Sequence, residues 1–296
     1  MISGVKEQQG AALSDRDFGR LADLIHSTLG IKMPVSKKIM LQSRLLRRMR
    51  ALGIDTYEAY CEHVLSPEGE ASELTHLLDV ATTNKTSFFR ESDHFDYLMQ
   101  QALPRLVALP ELRASRKLEL WSAACSTGQE PYTLAMVVAY FFETHHLSDW
   151  TFSVLGTDIS TKVLQAAKLG IYAEGDATPI PPAFRTRFLA RGRGSQRGTI
   201  RMLPGIRARV RFERANLMAP LPRTAAQMHV IFCRNALIYF DQAHQTAIVN
   251  NLRQRLWPQG FLMLGMSESI HGYGLPLTPV GRSIYQHPST GQEGSR

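Results

Sequence analysis

The chain is predicted to be an α/β protein, with an open, mostly parallel sheet covered by helices on both faces. A small all-α domain precedes the sheet, and a small antiparallel β insertion interrupts it. Three observations predict this. Over residues 14–81 apolar side chains recur at helical spacing. From Leu118 onward short apolar runs alternate with helical stretches, the pattern of a parallel sheet with crossover helices. Between Gly198 and Glu213, TIRML and ARVRFE alternate apolar and basic residues around Pro204-Gly205, out of step with that rhythm, and read as an antiparallel hairpin.

Residues 1–12 read as a flexible tail and 13–83 as the helical domain. Ser14 can cap a first helix with Asp17 three residues on, and Phe18, Leu21, Leu24, Ile25 and Leu29 repeat until Gly30. Pro34 and Ser36 open a second helix that runs to Leu52 and stops at Gly53. On its wheel Leu41, Leu45, Leu46, Met49 and Leu52 share one side, whereas Lys37, Arg44, Arg47, Arg48 and Arg50 share the other; Lys38 is the exception. A solvated face is the usual meaning of such charge, but this one has no interleaved acid, which favours a docking surface. Helices over about 56–65 and 70–81 complete the bundle.

Residues 84–287 carry the α/β domain. A helix is expected over Ser92–Leu109, kinked or restarted by Pro104. Then come strand 118–123, helix 129–143, strand 151–157, helix 160–169 stopped by Gly170, strand 228–233, helix 242–256 and strand 260–266. The arginine-bearing β insertion spans about 196–213, and 288–296 form a second flexible tail.

Composition narrows the class. An apolar share of 44% and a charged share of 20% over 296 residues fit a globular protein. No apolar run approaches the ~18 residues of a membrane span. The opening MISGVKEQQG lacks an apolar stretch with a cleavage site, so no secretory leader is expected. Cys61, Cys125 and Cys233 are widely spaced without a C-x-x-C, which argues against a disulfide framework or zinc site and suits the cytoplasm. The net charge of +8 is local: residues 37–50 and 185–214 together carry +15, and the remainder is negative. Local basic patches suggest an acidic partner, whether nucleic acid, anionic membrane or protein.

Ligands of open α/β sheets bind beyond the carboxyl ends of the strands. There the first strand runs into SAACSTGQEPY, where Ser122, Ala124, Ser126 and Gly128 put a small residue at every second position before a helix start. This is either an ordinary tight turn or a floor that lets backbone approach a nucleotide-like ligand. Asp158, ending the second strand, either caps the next helix or accepts from both ribose hydroxyls. Asn216 is either a turn residue or a reader of an adenine edge. FCRNALIYFD adds Arg234, Asn235 and Tyr239 near the site. The chain shows no phosphate-gripping lysine of P-loop type and few glycines in the turn. A ligand with adenine and ribose but no phosphate remains; S-adenosylmethionine fits, with Glu130 facing its ammonium.

NKTSFFRE, SAACSTGQEPY, DIS followed by VLQAAKLGIY, ERANL and FCRNALIYFD resemble, in order and spacing, the bacterial chemotaxis receptor methyltransferases, the CheR family. RLLRRMRALG in the second helix and the late SES segment are similar to that family too, and the resemblance spans roughly Ser14 to Gln286. It implies a Rossmann-like sheet and an activity: methyl transfer from S-adenosylmethionine to glutamate side chains of membrane chemoreceptors, giving glutamyl methyl esters and S-adenosylhomocysteine. It implies cofactor contacts from Asn84, Thr86, Arg90, Glu130, Asp158, Asn216, Leu217, Arg234 and Asn235. It sets Arg90 and Tyr239 near the transferred methyl as catalytic groups. Lys37, Arg44, Arg47, Arg48 and Arg50 would dock the receptor's cytoplasmic domain, and the β insertion matches a subdomain that in some members binds a C-terminal receptor tether peptide. No metal, nucleic acid or membrane insertion is expected, and the protein would act as a cytoplasmic monomer. Gln129 departs from the family, many members of which have a second glutamate there.

The acceptor chemistry agrees. A glutamate side chain, pKa ~4.3, is already an ionised nucleophile near neutral pH, so no general base is required. Two other functions have sequence signatures of their own. A nucleic-acid methyltransferase acting on base amines would carry an acidic or amide residue before Pro-Pro-aromatic where this chain has RNALIY; Cys233 is a conceivable pyrimidine nucleophile but reads as a buried strand end. A non-catalytic cofactor-binding docking protein would have little use for Arg90 and Tyr239.

Overall fold

The computed structural model describes residues 12–81, 84–225 and 227–289, so the two expected tails lie almost wholly outside the described residues. The chain divides into two compact units, Met1–Thr83 and Asn84–Arg296.

The first unit contains helices α1 (Asp15–Leu29), α2 (Lys38–Leu52), α3 (Tyr57–Val64) and α4 (Pro67–Ala81), with a single 3-10 turn, Val35–Lys37, leading into α2. Local chemistry sets the ends. Ser14 Oγ accepts from the Asp17 amide at 3.0 Å, and Thr56 Oγ1 accepts from the Ala59 amide at 3.1 Å. Gly30 and Gly53 close α1 and α2 in the left-handed region. Leu21, Ile25, Leu41, Leu45 and Met49 are buried between the helices.

The second unit opens with a broken helix. α5 (Asp93–Tyr97) passes through one π-helical turn, Leu98–Ala102, into α6 (Leu103–Ala108), and α7 (Pro110–Ser115) follows. The single helix expected over 92–109 is therefore interrupted. Pro104 cannot donate to the preceding turn and its ring crowds it, so the ladder widens there. Then come β1 (Lys117–Ala123), α8 (Gln129–Thr144), β2 (Thr151–Asp158), α9 (Thr161–Leu169), β3 (Ile171–Ala173), α10 (Pro182–Phe188), β4 (Leu189–Arg191), β5 (Thr199–Met202), α11 (Pro204–Arg207), β6 (Val210–Arg214), β7 (Met228–Cys233), α12 (Gln242–Arg253), β8 (Leu256–Leu264), β9 (Thr278–Gly281) and β10 (Ile284–Gln286).

The large sheet has the order β6-β2-β1-β7-β8-β10-β9, parallel from β6 to β8 and antiparallel at β10 and β9. Burial on both faces explains the continuous apolar strands. Leu120, Val230, Phe232, Phe261 and Met263 pack on the α8 side, and their neighbours Trp121, Ile231, Cys233, Leu262 and Leu264 on the α12 side. Strand order reverses between β1 and β7, which opens a crevice at their carboxyl ends.

The expected hairpin within 196–213 does not form. β5 pairs antiparallel with β3 and β4 in a separate three-stranded sheet, whereas β6 pairs parallel with β2 at the edge of the large one. Pro204 starts the one-turn helix α11 instead of a hairpin turn, since its fixed φ suits the first helical position. Phe212 then packs edge-on against Tyr132 of α8, with ring centroids 5.7 Å apart, which anchors β6 to the main core. The basic segment is divided accordingly. Arg191 reaches Glu174 at 3.6 Å beside the small sheet, while Arg211 reaches Ser153 Oγ at 2.7 Å on the large one.

Candidate active site

Three segments build the crevice. The first is the turn from β1 to α8. Ala124, Ser126 and Gly128 all have positive φ (60°, 50° and 94°), so the alternating small residues are those the left-handed backbone needs. A Cβ on Gly128 would come within 2.8 Å of the Ala167 Cβ and 3.0 Å of the Tyr172 hydroxyl, so the turn sits directly on α9 and β3. The winding points the Ser126 amide at Asp158 Oδ2 (2.9 Å), and the Ser126 hydroxyl donates to the Asn84 carbonyl (2.8 Å).

Asp158, buried at the end of β2, also accepts from the Ser160 amide at 3.0 Å. It is not the cap of α9, because Ser160 is, accepting from the Val163 amide at 3.3 Å. A carboxylate oxygen can accept more than one hydrogen bond, which suits a pair of hydroxyls. Glu130, in the first turn of α8, accepts from Ser122 Oγ at 2.7 Å and from Arg234 Nη1 at 3.2 Å. Burial raises its pKa, against the opposing pull of Arg234 and Ser122.

The other two segments are the loops after β7 and β8. The Arg234 side chain is only 1% exposed; it lies over the Phe95 and Phe232 rings and donates to Glu91 Oε2 at 2.9 Å and to the Arg90 carbonyl. Asn235, at φ 56°, is gripped from two sides: its amide donates to Glu268 Oε2 at 2.9 Å and its Nδ2 to Glu91 Oε1 at 3.1 Å. A Cβ at Gly265 would lie 2.8 Å from the Asn235 amide nitrogen, so only glycine lets the two loops close this far. Glu268 is 5% exposed and also takes the Gly265 and Ile238 amides, at 2.6 and 3.2 Å. Burial raises its pKa against those amides.

The structure groups these residues into two hydrogen-bonded sets: Asn84 and Asp158 meet at Ser126, and Arg90, Glu130 and Asn235 meet through Arg234 and Glu91. Asn84 enters through its carbonyl. Arg90 enters through its carbonyl as well, its side chain donating to the Lys85 carbonyl at 3.0 Å. Thr86 is half-buried in the same segment, and Tyr239 is half-buried at the end of the turn Leu237–Tyr239, which contains Ile238. Asn216 Oδ1 accepts from the Met218 amide at 2.9 Å, the turn use of the residue, and Leu217 is buried on the α12 side of the sheet. The Arg234 side chain is enclosed, and its guanidinium reaches Glu91 and Glu130. Glu91 and Glu268 are the members of the site that the sequence does not single out. They lie in NKTSFFRE and SES, but Arg234 and Met266 are 143 and 175 positions from Glu91, and Asn235 is 33 from Glu268.

Cys125 and Cys233 are buried, and burial raises both thiols well above their ordinary range. Cys233 is therefore a strand-end filler and not a nucleophile. Partly buried Glu130 offers a partner for an ammonium, Asp158 for ribose hydroxyls, and the small-residue turn a close backbone floor; this donor set fits S-adenosylmethionine.

In the helical unit the basic face is less free than the sequence suggested. Arg48 donates to both oxygens of Glu73 (Nε at 2.8 and 2.9 Å, Nη2 at 2.6 Å), and Glu73 is 1% exposed. Arg44 donates to the Val80 carbonyl at 2.9 Å. The face thus has a neutralising acid, supplied by α4. Lys37 is half-buried, while Arg47 and Arg50 are exposed; Val35 and Ile39 at the start of the same stretch are 70% and 80% exposed. No helix among the described residues is long and apolar enough to cross a membrane.

Residues 84–281 match the family described as "CheR methyltransferase, SAM binding domain", and residues 16–82 match "CheR methyltransferase, all-alpha domain". The chain is 34% identical over 274 residues to the "Chemotaxis protein methyltransferase" of Escherichia coli K12, covering 93% of this chain and 91% of that one. It is 34% identical over 269 residues to the "Probable chemotaxis protein methyltransferase" of Rhizobium etli, covering 90% and 98%. To "Chemotaxis protein methyltransferase 2" of Pseudomonas aeruginosa it is 33% identical over 270 residues, covering 91% and 92%.

Proposed function

The chain belongs to the CheR methyltransferase family, whose members use S-adenosylmethionine, and from that premise we propose that it methylates glutamate side chains of membrane chemoreceptors. The products are glutamyl methyl esters and S-adenosylhomocysteine. The observation that carries the cofactor side of this reading is the pair of carboxylates, Glu130 at the start of α8 and Asp158 at the end of β2, set around the small-residue turn.

In this reading Glu130 holds the cofactor's ammonium and Asp158 its ribose. Asn216 with Leu217 flanks the adenine, and Asn84, Thr86 and Arg90 line the remainder. Bound there, S-adenosylmethionine supplies an electrophilic methyl group on a positively charged sulfur. The acceptor carboxylate is ionised near neutral pH, so no protein group has to remove a proton. What remains is alignment and exclusion of water. Arg90 and Tyr239 orient the acceptor carboxylate; too tight an ion pair would blunt its nucleophilicity, so both serve as positioning groups.

The basic face of α2 docks the acidic receptor helices. Arg47 and Arg50 are the open members of that face, and the exposed Val35 and Ile39 add apolar contact beside them. Lys37, Arg44 and Arg48 contribute from less accessible positions. The small sheet of β3, β4 and β5 takes the receptor tether peptide. The protein works as a cytoplasmic monomer.

The test is incubation of methyl-labelled cofactor with receptor-containing membranes, followed by mild base. Release of labelled methanol supports the glutamyl ester. Base-stable label on protein, RNA or DNA would overturn the acceptor assignment.

A further inference from the structure

Glu91 ties together three segments that are remote in the chain. It accepts from Arg234 Nη2 at 2.9 Å, from Asn235 Nδ2 at 3.1 Å and from the Met266 amide at 3.1 Å. Its own backbone and that of Phe89 sit in the left-handed region, at φ 54° and 50°, where a non-glycine residue costs on the order of 1 kcal/mol or more. The surrounding contacts must hold the segment there. Arg234 has no open path to a ligand; its guanidinium spans Glu91 and Glu130 and is otherwise enclosed. One buried positive charge is therefore divided between two carboxylates.

The division is unequal. Both Glu91 oxygens are engaged, by Asn235 on one side and by Arg234 and Met266 on the other. Glu130 has Ser122 on one oxygen and only the longer, 3.2 Å contact from Arg234 on the other. Without Glu91 the guanidinium would belong to Glu130 alone, and the pair would be neutral. With Glu91 present the three groups carry a net negative charge, and the carboxylate with unfilled acceptor sites is Glu130.

We propose that Glu91 is a positioning residue for cofactor binding: by sharing Arg234 it leaves Glu130 a net negative acceptor for the ammonium at the amino-acid end of the cofactor. The proposal rests on the reading of Glu130 given above. The electrostatics agree with the geometry. Burial alone would raise the pKa of Glu91, but the hydrogen bonds from Arg234 and Asn235 outweigh it and hold the carboxyl below its ordinary value.

The test is calorimetric titration of the full chain with S-adenosylhomocysteine and with 5′-methylthioadenosine, which keeps the adenosine but lacks the ammonium. Glu91→Gln is expected to weaken S-adenosylhomocysteine by about 10- to 100-fold, the range of a charged hydrogen bond, and to leave methylthioadenosine within about threefold. Glu130→Gln should show the same selectivity. Equal loss of both ligands in Glu91→Gln would mean a merely structural role and overturn the proposal. So would unchanged S-adenosylhomocysteine affinity in Glu91→Gln while Glu130→Gln stays selective. If Glu130→Gln weakens both ligands alike, the ammonium reading itself fails and the proposal falls with it. Should Glu91→Gln not fold, Glu91→Asp keeps the charge and withdraws it by one methylene; its loss is expected to be smaller but selective, and an unselective loss would overturn the proposal.

Discussion

Arg48 allows the basic face of α2 to be separated into structure and docking. Replacing it by alanine strands Glu73, which is 1% exposed and keeps, among the described residues, only the Tyr60 hydroxyl, at 3.1 Å, as a neighbouring donor. Breaking a buried pair by removing one partner costs roughly 3–5 kcal/mol. The Arg48 side chain is 26% exposed, so some water reaches the vacated site and the expected cost falls to about 2–3 kcal/mol. Trp121, Trp150 and Trp257 all belong to the second unit, so tryptophan fluorescence follows that unit while far-UV circular dichroism follows helices in both. In urea, Arg48→Ala should bring an early dichroism transition that the fluorescence does not share. Arg47→Glu with Arg50→Glu should change stability by no more than ~0.5 kcal/mol, as expected for exposed sites, while weakening binding to receptor-containing membranes. A dichroism curve for Arg48→Ala that overlays the wild type would refute the reasoning. It would mean that Glu73 needs no partner and that Arg48 is as available for docking as its neighbours.

His229 predicts a pH effect. Burial pushes it down to about 4, and its Nδ1 accepts from the Glu119 amide at 2.8 Å, so it is neutral in the folded chain. The unfolded chain takes up this proton near pH 6.5 and the folded one only near 4. Stability is therefore lost as pH falls through that window, by about 2 kcal/mol at pH 5. Urea midpoints at pH 7 and 5 measure it, and His229→Asn should flatten the contribution; an unchanged slope would count against it. Tyr239→Phe should slow methyl transfer by about 10- to 100-fold while S-adenosylhomocysteine binds as in the wild type, and Arg90→Ala should slow it as much and also weaken S-adenosylhomocysteine; wild-type turnover in both would refute their positioning role. The buried thiols of Cys61, Cys125 and Cys233 should resist iodoacetamide in the native protein and react after unfolding, as read by mass spectrometry.

Much of the site was legible because its residues occupy structurally marked positions. Asp158 ends a strand, Glu130 begins a helix, and the alternation of small residues at 122–128 reports a backbone that turns left-handed at 124, 126 and 128. What was not legible is which side chains face ligand and which face one another. Arg234 follows a strand beside the crevice, and nothing near it in the sequence shows that two carboxylates from other segments pair with it. Arg48 looked like part of an acid-free face because Glu73 lies 25 positions away on another helix.

The sequence by itself determined α1, α2, α8 and α9 with their ends, and the continuous apolar strands of the parallel sheet. Capping, left-handed stops and burial periodicity are written within a few residues of where they act. Only the tertiary structure decided that β6 joins the large sheet, that a π turn precedes Pro104, and that Glu91, Arg234 and Glu130 share one charge. Alternation marks a strand without naming its partner. Likewise, a buried ion takes its meaning from groups more than a hundred positions away, and chain folding alone brings them to 3.2 and 2.9 Å.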